Sequence, residues 1–320
     1  MASRPTLRAH DEEGDITMAL TPARIEVNNA VFSLPYHVAK EKGIFEQEGL
    51  DVTLVPAGSG RDRDKEVPDE PIEDHTAVKS YGWHEGIEKG EFSMYRACEW
   101  GQIRRTQDSC QDARVITKRA AVATQAIVVK GDSPYNIPPD LRNVLVGVNM
   151  HAGSHYITLG LLGGYMNKDE VRVGHVGGPK QRLDFLESGK IGAAALMEPW
   201  ITVALKRGHK IICEAFYDGA EVTVPSLAPD TYAAIDRSVR RAVDEIHKDI
   251  RPYLKYLIKE VPGDICKLTG EDFYLGRFRY IYPRPYTQDE YDHIYNWMVG
   301  WGLLSAQSTY DKIVDAKLSA

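Results

Sequence analysis

The sequence predicts an α/β protein built on two doubly wound, mainly parallel sheets. Three observations predict it. Apolar runs of strand length alternate with helical patterns, the alternation starts twice, at Arg24 and again at Val144, and no internal repeat or low-complexity tract competes with it. A length of 320 residues suits two ordinary domains or one large one.

The first round opens with a strand at Arg24–Val27, a helix at Ser33–Lys42 stopped by Gly43, and a second strand at Leu50–Val55. Gly58–Ser80, GSGRDRDKEVPDEPIEDHTAVKS, is rich in charge and holds two prolines, so it reads as a long surface loop. Gly82–Gly90, Glu91–Met94 and Tyr95–Arg105 then read as helix, short strand and helix, and Arg114–Thr117 and Gln125–Lys130 as strands.

The second round has a buried strand at Val144–Asn149, a turn at His151-Ala152-Gly153, and a helix from Ser154 to Met166. Strands at Glu170–Val176, Ile191–Met197 and Lys210–Glu214 alternate with helices at Pro179–Ser188 and Pro199–Arg207, the latter beginning with its proline near the first turn. The last third turns helical, over Asp236–Glu260 with a break near Pro252 and over Asp289–Gly300. Tyr291, Tyr295, Trp297 and Trp301 fall there at helical spacing and read as core.

Composition narrows the function. Lys and Arg number 39 against 46 Asp and Glu, a net charge of −7, so a nucleic-acid partner, which needs a basic face to displace counterions, is not expected. Hydrophobic residues at 43% are enough for a full core. The N-terminal stretch MASRPTLRAHDEEGDITMALTP has no apolar run of export-signal type and no segment approaches the roughly 20 apolar residues of a membrane span, so a cytoplasmic, soluble protein is the expectation. Cys98, Cys110, Cys213 and Cys266 form no CxxC pair and read as free thiols, with no zinc site or disulfide frame.

Two stretches carry a resemblance. SLPYHVAKEKGIFEQEGLDVTLVPAGSG, Ser33–Gly60, resembles the first βαβ unit of the nitrate/sulfonate/taurine-type periplasmic binding proteins and their thiamine-pyrimidine-synthase relatives. HAGSHYITLGLLGGYMNKDEVRVGHVGGPKQRLDFLESGKIGAAALMEPWITVALKRGHKII, His151–Ile212, is similar in order and spacing to their second lobe. The resemblance covers most of Arg24–Phe216. It implies a two-lobed periplasmic-binding-protein-like type II fold, with lobe 1 over 1–122 and 215–320, lobe 2 over 123–214, and strands crossing near Ala120–Val129 and Ile211–Ala215. It also implies a small organic anion held in the cleft between the lobes and no cofactor.

The sequence departs from that family in ways that bear on chemistry. Relatives without an export signal include cytoplasmic enzymes: a pyrimidine synthase, an aromatic sulfinate desulfinase and dihydroxyphthalate decarboxylases. The desulfinase's nucleophilic cysteine aligns with Asn29, the synthase's lysine with Arg96 and its histidine with Trp100, its cysteine-rich motif is missing, and Arg61–Ser80 is an insertion. The resemblance therefore implies a lyase-like enzyme acting on an aromatic or sulfur-containing acid. The alternative is a solute-binding component of an ABC transporter or a cytoplasmic sensor.

The candidate site residues each have a structural reading beside the functional one. Asn28 and Asn29, ending the first strand, can bind an acidic group or close an Asx turn. Phe32 can stack on an aromatic ligand or fill core. In His151-Ala152-Gly153-Ser154-His155, Gly153 allows close backbone approach, Ser154 can cap the helix, and the free N–H groups can hold an anion. His151 or His155 can move a proton, and no third ligand at fixed spacing supports a metal there. Arg96 can clamp an anion, Glu99 can act as base and Trp100 can wall the cleft, or Arg96 and Glu99 can form an ordinary ion pair. Glu198, ending a buried strand beside Trp200, can serve in catalysis or only touch the ligand. Cys98 can be a nucleophile, with its neighbours Arg96 and Glu99 pulling the thiolate's stability in opposite directions, or an inert thiol, and His75, with His84 and Glu85, can form a lid or a solvated loop.

Overall fold

The computed structural model describes residues 19–57, 68–78, 86–87, 89–108, 114–304 and 307–315. His84, Glu85, Cys110 and much of the expected helix over Gly82–Gly90 lie outside them.

In the first round, β1 (Thr21–Val27), α1 (Ala30–Glu41) and β2 (Leu50–Pro56) form a βαβ unit with β1 and β2 parallel. Helix α1 starts three residues before the expected Ser33, because the Glu260 carboxylate accepts the Ala30 N–H at 2.5 Å and so satisfies a donor that the Asn29 side chain does not cap.

The next strand, β3 (Met94–Cys98), is buried throughout, and α2 (Glu99–Asp108) follows without a loop. The sequence expectation placed this strand-to-helix boundary at Tyr95. A strand buried on both faces has no apolar/polar alternation to mark where it ends. β4 (Arg114–Lys118) and β5 (Ala121–Val129) follow.

The second round holds β6 (Leu145–Val148), α3 (Gly153–Gly163), β7 (Arg172–His175), α4 (Pro179–Ser188), β8 (Ala193–Leu196), α5 (Trp200–Lys206) and β9 (Lys210–Tyr217). A strand the periodicity does not show, β10 (Gly219–Thr223), follows after one residue. Its five residues are all buried, and it runs antiparallel between β3 and β4 in the middle of the first sheet.

The first sheet has the order β12-β4-β10-β3-β1-β2 and the second β11-β5-β8-β6-β7 with β9 on β5, where β11 is Arg279–Tyr280 and β12 is Arg284–Pro285. β6 is parallel to β7 and to β8, while β5 runs antiparallel to β8 and β9. The chain leaves the first sheet between Lys118 and Ala121 and returns between Tyr217 and Gly219, so two adjacent crossings join two α/β lobes around a cleft.

Helix α6 (Pro229–Lys248) lies against α1 and buries Ile235, Val239, Val243 and Ile246, each worth roughly 1.5–3 kcal/mol. It begins earlier than the expected Asp236, at a proline suited to the first turn, and it ends before Pro252. Helix α7 (Gln288–Gly300) starts with a reciprocal Thr287–Glu290 capping box and buries Tyr291 and Met298.

Part of the expected surface loop is tied down. Ile72 pairs with His175 as an antiparallel bridge on the edge of the second sheet, and Glu73 forms an ion pair with Arg172. The β2–β3 connection of the first lobe therefore reaches the outer strand of the second.

Candidate ligand-binding site

A cavity of about 210 Å³ opens between the two sheets. Its walls are the residues that follow strand ends: Asn28 and Asn29 after β1, Asn149 after β6, Gly177 and Gly178 after β7, and Met197 after β8. Ligands of open α/β sheets gather at such ends, where loops and helix N-termini converge.

Seven residues weighed from the sequence line it: Asn28, Asn29, Phe32, Arg96, Cys98, Gly153 and Ser154. Asn28 is held by its neighbours. Its N–H donates to Ser33 Oγ at 3.1 Å and its Oδ1 accepts from the same hydroxyl at 3.0 Å. Ser154 does not cap α3; Ala152 is the N-cap residue, and the Ser154 hydroxyl accepts the Asn149 N–H at 2.9 Å. The Ala152 carbonyl takes the N–H groups of His155 and Tyr156, which leaves the Gly153 and Ser154 N–H groups as the free donors of that turn.

Arg96 reaches the cavity but is already engaged. Both its Nη atoms donate to the Glu26 carbonyl, at 2.8 and 2.7 Å, its Nε lies 3.4 Å from Glu221, and its guanidinium sits 3.7 Å from the centre of the Tyr36 ring. Glu221 stands directly opposite Arg96 in the β3–β10 ladder. It is a cross-strand pair rather than the helical Arg96–Glu99 pair considered from the sequence. Burial pushes the Glu221 carboxyl up to about 7 against the opposing pull of Arg96.

The other residues proposed from sequence lie outside this lining. Glu99 is buried and ion-paired with Lys118, and burial raises its carboxyl. Trp100 packs in an aromatic cluster, with ring centres 5.7 Å from Tyr217, 6.0 Å from Tyr156 and 6.2 Å from Trp297. Glu198 is fully buried, accepts the Thr202 hydroxyl at 2.8 Å and faces Arg277 at 3.5 Å. Trp200 is buried in the first turn of α5.

The buried His151 and His155 form a separate group with the half-buried His75 and His175. The His155 Nδ1 accepts the His151 N–H at 3.2 Å, and its ring centre is 4.9 Å from His75 and 5.8 Å from His151. Burial, with the neighbouring imidazoles, holds the His155 pKa well below the usual histidine range. Among the described residues no group of three His, Cys, Asp or Glu side chains is placed to hold a metal ion, and no helix is long and apolar enough to cross a membrane.

Sequence reasoning missed the residues that give the cavity its charge. Arg119 sits in the first crossing, 2% exposed, with its guanidinium 4.7 Å from the Phe32 ring centre and 5.2 Å from that of Tyr217. Its Nε donates to the Ala121 carbonyl at 2.6 Å, while Nη2 has no partner. Gly219 makes room for it, since a Cβ there would stand 2.5 Å from the Arg119 guanidinium carbon. Arg182, in the first turn of α4, is 2% exposed, and its Nε and Nη1 are also without partners. The Gln125 Nε2 on β5 is another unpartnered donor. The available signal was an arginine inside the amphipathic pattern of α4, at a position that faces the core.

By sequence, no family model and no curated protein matches the chain. Solved structures do match in fold. The alkanesulfonate-binding protein SsuA from Xanthomonas axonopodis pv. citri, bound to MOPS, superposes with a TM-score of 0.70 at 15% identity, over 92% of this chain and 98% of that one. A Candida albicans gene product described as defining a new family with the generic periplasmic binding protein fold gives 0.69 at 14% identity, over 93% and 97%. The nitrate-binding protein NrtA from Synechocystis PCC 6803 gives 0.63 at 15% identity, over 93% and 87%. The chain has the two-lobed periplasmic binding protein fold with its cleft between the lobes.

Proposed function

We propose that the protein is a solute-binding protein that holds a small organic anion in the interlobe cleft without transforming it. The observation that carries this is the pair of buried guanidinium groups, Arg119 and Arg182, which line the cavity and keep donors without a partner, Nη2 of Arg119 and Nε and Nη1 of Arg182. A buried donor left unmade costs about 1–3 kcal/mol, more when charged, so such groups are kept where a ligand completes them.

The lining also supports binding over a lyase. Besides its arginines, its ionisable side chains are Cys98 and Tyr217, and burial raises both, Tyr217 to about 12. Neither is a base at neutral pH, and His151, His155, Glu99 and Glu198 stand outside the lining. Similar folds bind alkanesulfonate and nitrate, which fits an anion carrier serving a transporter or a sensor.

The test is a thermal-shift screen at low salt with nitrate, taurine, alkyl and aryl sulfonates, and mono- and dicarboxylates, followed by NMR of any stabilising ligand after hours of incubation. The reading expects at least one anion to raise Tm in a saturable way and to be recovered unchanged. A screen without any stabilising anion, or a ligand consumed catalytically, would overturn it.

A further inference from the structure

The two unpaired arginines specify more than the sign of the ligand. Each of the cavity's buried cations can be asked which acid answers it. Arg96 has Glu221 at 3.4 Å, directly across the ladder, and Arg105, which also lines the cavity, is already engaged by the Tyr95 hydroxyl. Arg119 and Arg182 make no ion pair with an acid among the described residues. Burial alone lowers Arg182, to about 9, opposed only by the Tyr217 phenol, so it stays charged at neutral pH. Lone guanidinium ions in a low-dielectric site are costly, and two in one cavity more so.

They enter the cavity from different parts of the fold. Arg119 belongs to the first crossing, with Phe32 and Tyr217, whereas Arg182 opens α4 in the second lobe, beside Gly177 and Gly178. The Tyr217 hydroxyl is hydrogen-bonded to Arg119 and also feels the charge of Arg182. Phe32, Met197 and Tyr217 add apolar surface to the lining.

We propose that the ligand is a small organic dianion, with one acidic group on Arg119 and Gln125 and the second on Arg182, and with its hydrocarbon body against Phe32, Met197 and Tyr217. The proposal rests on the solute-binding reading and names its substrate class. Each carboxylate or sulfonate would complete a charge-assisted pair that the free protein lacks, and a monoanion would leave one arginine buried and unanswered.

Isothermal titration with two matched pairs tests it: 4-sulfobenzoate against benzenesulfonate, and succinate against butyrate. The dianion of at least one pair is expected to bind about tenfold or more tightly than its monoanionic twin, with a steeper loss of affinity in salt. Arg182→Met and Arg119→Met should each bring that dianion down to the level of its twin. If either variant fails to fold, as near-UV circular dichroism would show, the wild-type comparison decides alone. Equal affinity within the pairs overturns the dianion while leaving the solute-binding reading standing. Absence of binding by all four, with no stabilising anion in the wider screen, brings down both.

Discussion

A methyl group on Gly153 would stand 2.4 Å from the Tyr217 hydroxyl and 2.8 Å from the ring carbon that bears it. The first residue of α3 is therefore a glycine because β9 ends with a phenol pressed against it. Gly153→Ala must push Tyr217 off its place beside Arg119. It is expected to cost about 1–3 kcal/mol in urea denaturation and to weaken anion binding at least tenfold by titration calorimetry. Unchanged affinity would mean that Tyr217 does not shape the site.

Arg96 is expected to matter first for folding. It is 1% exposed, donates to Glu26 and Ser33, pairs with Glu221 and stacks on Tyr36. Arg96→Met leaves Glu221 buried without its cation and should cost about 3–5 kcal/mol in chemical denaturation. Arg96→Lys should recover only part of that, because an ammonium cannot fork onto the Glu26 carbonyl and lie flat on the Tyr36 ring together. Full rescue by lysine would show that charge alone is what the site requires.

Glu260 makes stability depend on pH in an unusual direction for a carboxylate. Burial raises its pKa from 4.5 to about 7, against the lowering effect of the Ala30 and Asn29 hydrogen bonds. The folded state thus holds this proton more tightly than the unfolded chain does. Its contribution is fully present below pH 4.5 and is lost as pH rises through 7. Denaturant midpoints across that window should fall for the wild type and fall less for Glu260→Gln, the difference reaching at most about 3 kcal/mol. Glu221 shares the window, so the variant's profile should flatten only in part.

His155 acts in the opposite sense. Its folded pKa lies well below 6.5, chiefly through burial, so the unfolded chain takes up the proton first. The stability present above pH 6.5 is lost as pH falls, by about 1.4 kcal/mol per unit while the folded ring stays neutral. His75 and His175 are also lowered by burial and add to the trend. His155→Asn, which keeps an acceptor for the His151 N–H, should lose less stability than the wild type between pH 7.5 and 5. Parallel losses would remove His155 as a source of acid sensitivity.

The fold was legible wherever an apolar run or a helical pattern was bounded by turn residues: β1, α1, β2, β6, α4 and α5 fall within a few residues of their expected places. It was illegible in two central strands of the first sheet. β3 carries no alternation, and β10 reads GAEVT, a glycine and a glutamate within a central strand, because Gly219 admits Arg119 and Glu221 answers Arg96. The site divides in the same way. Asn28, Asn29, Gly153 and Ser154 lie at strand ends and helix starts, which local pattern marks. Arg119 and Arg182 reach the cavity from a crossing and from a helix face, and the one local mark is that Arg182 falls on the apolar side of α4.

The central claim is that the interlobe cavity holds an anion on Arg119 and Arg182. The most direct measurement is a crystal structure of the protein with the tightest-binding anion from the screen. The account predicts acidic oxygens within hydrogen-bonding distance of both guanidinium groups and of the Gln125 amide. An anion bound elsewhere on the surface, with the two arginines turned toward protein acids, would contradict it.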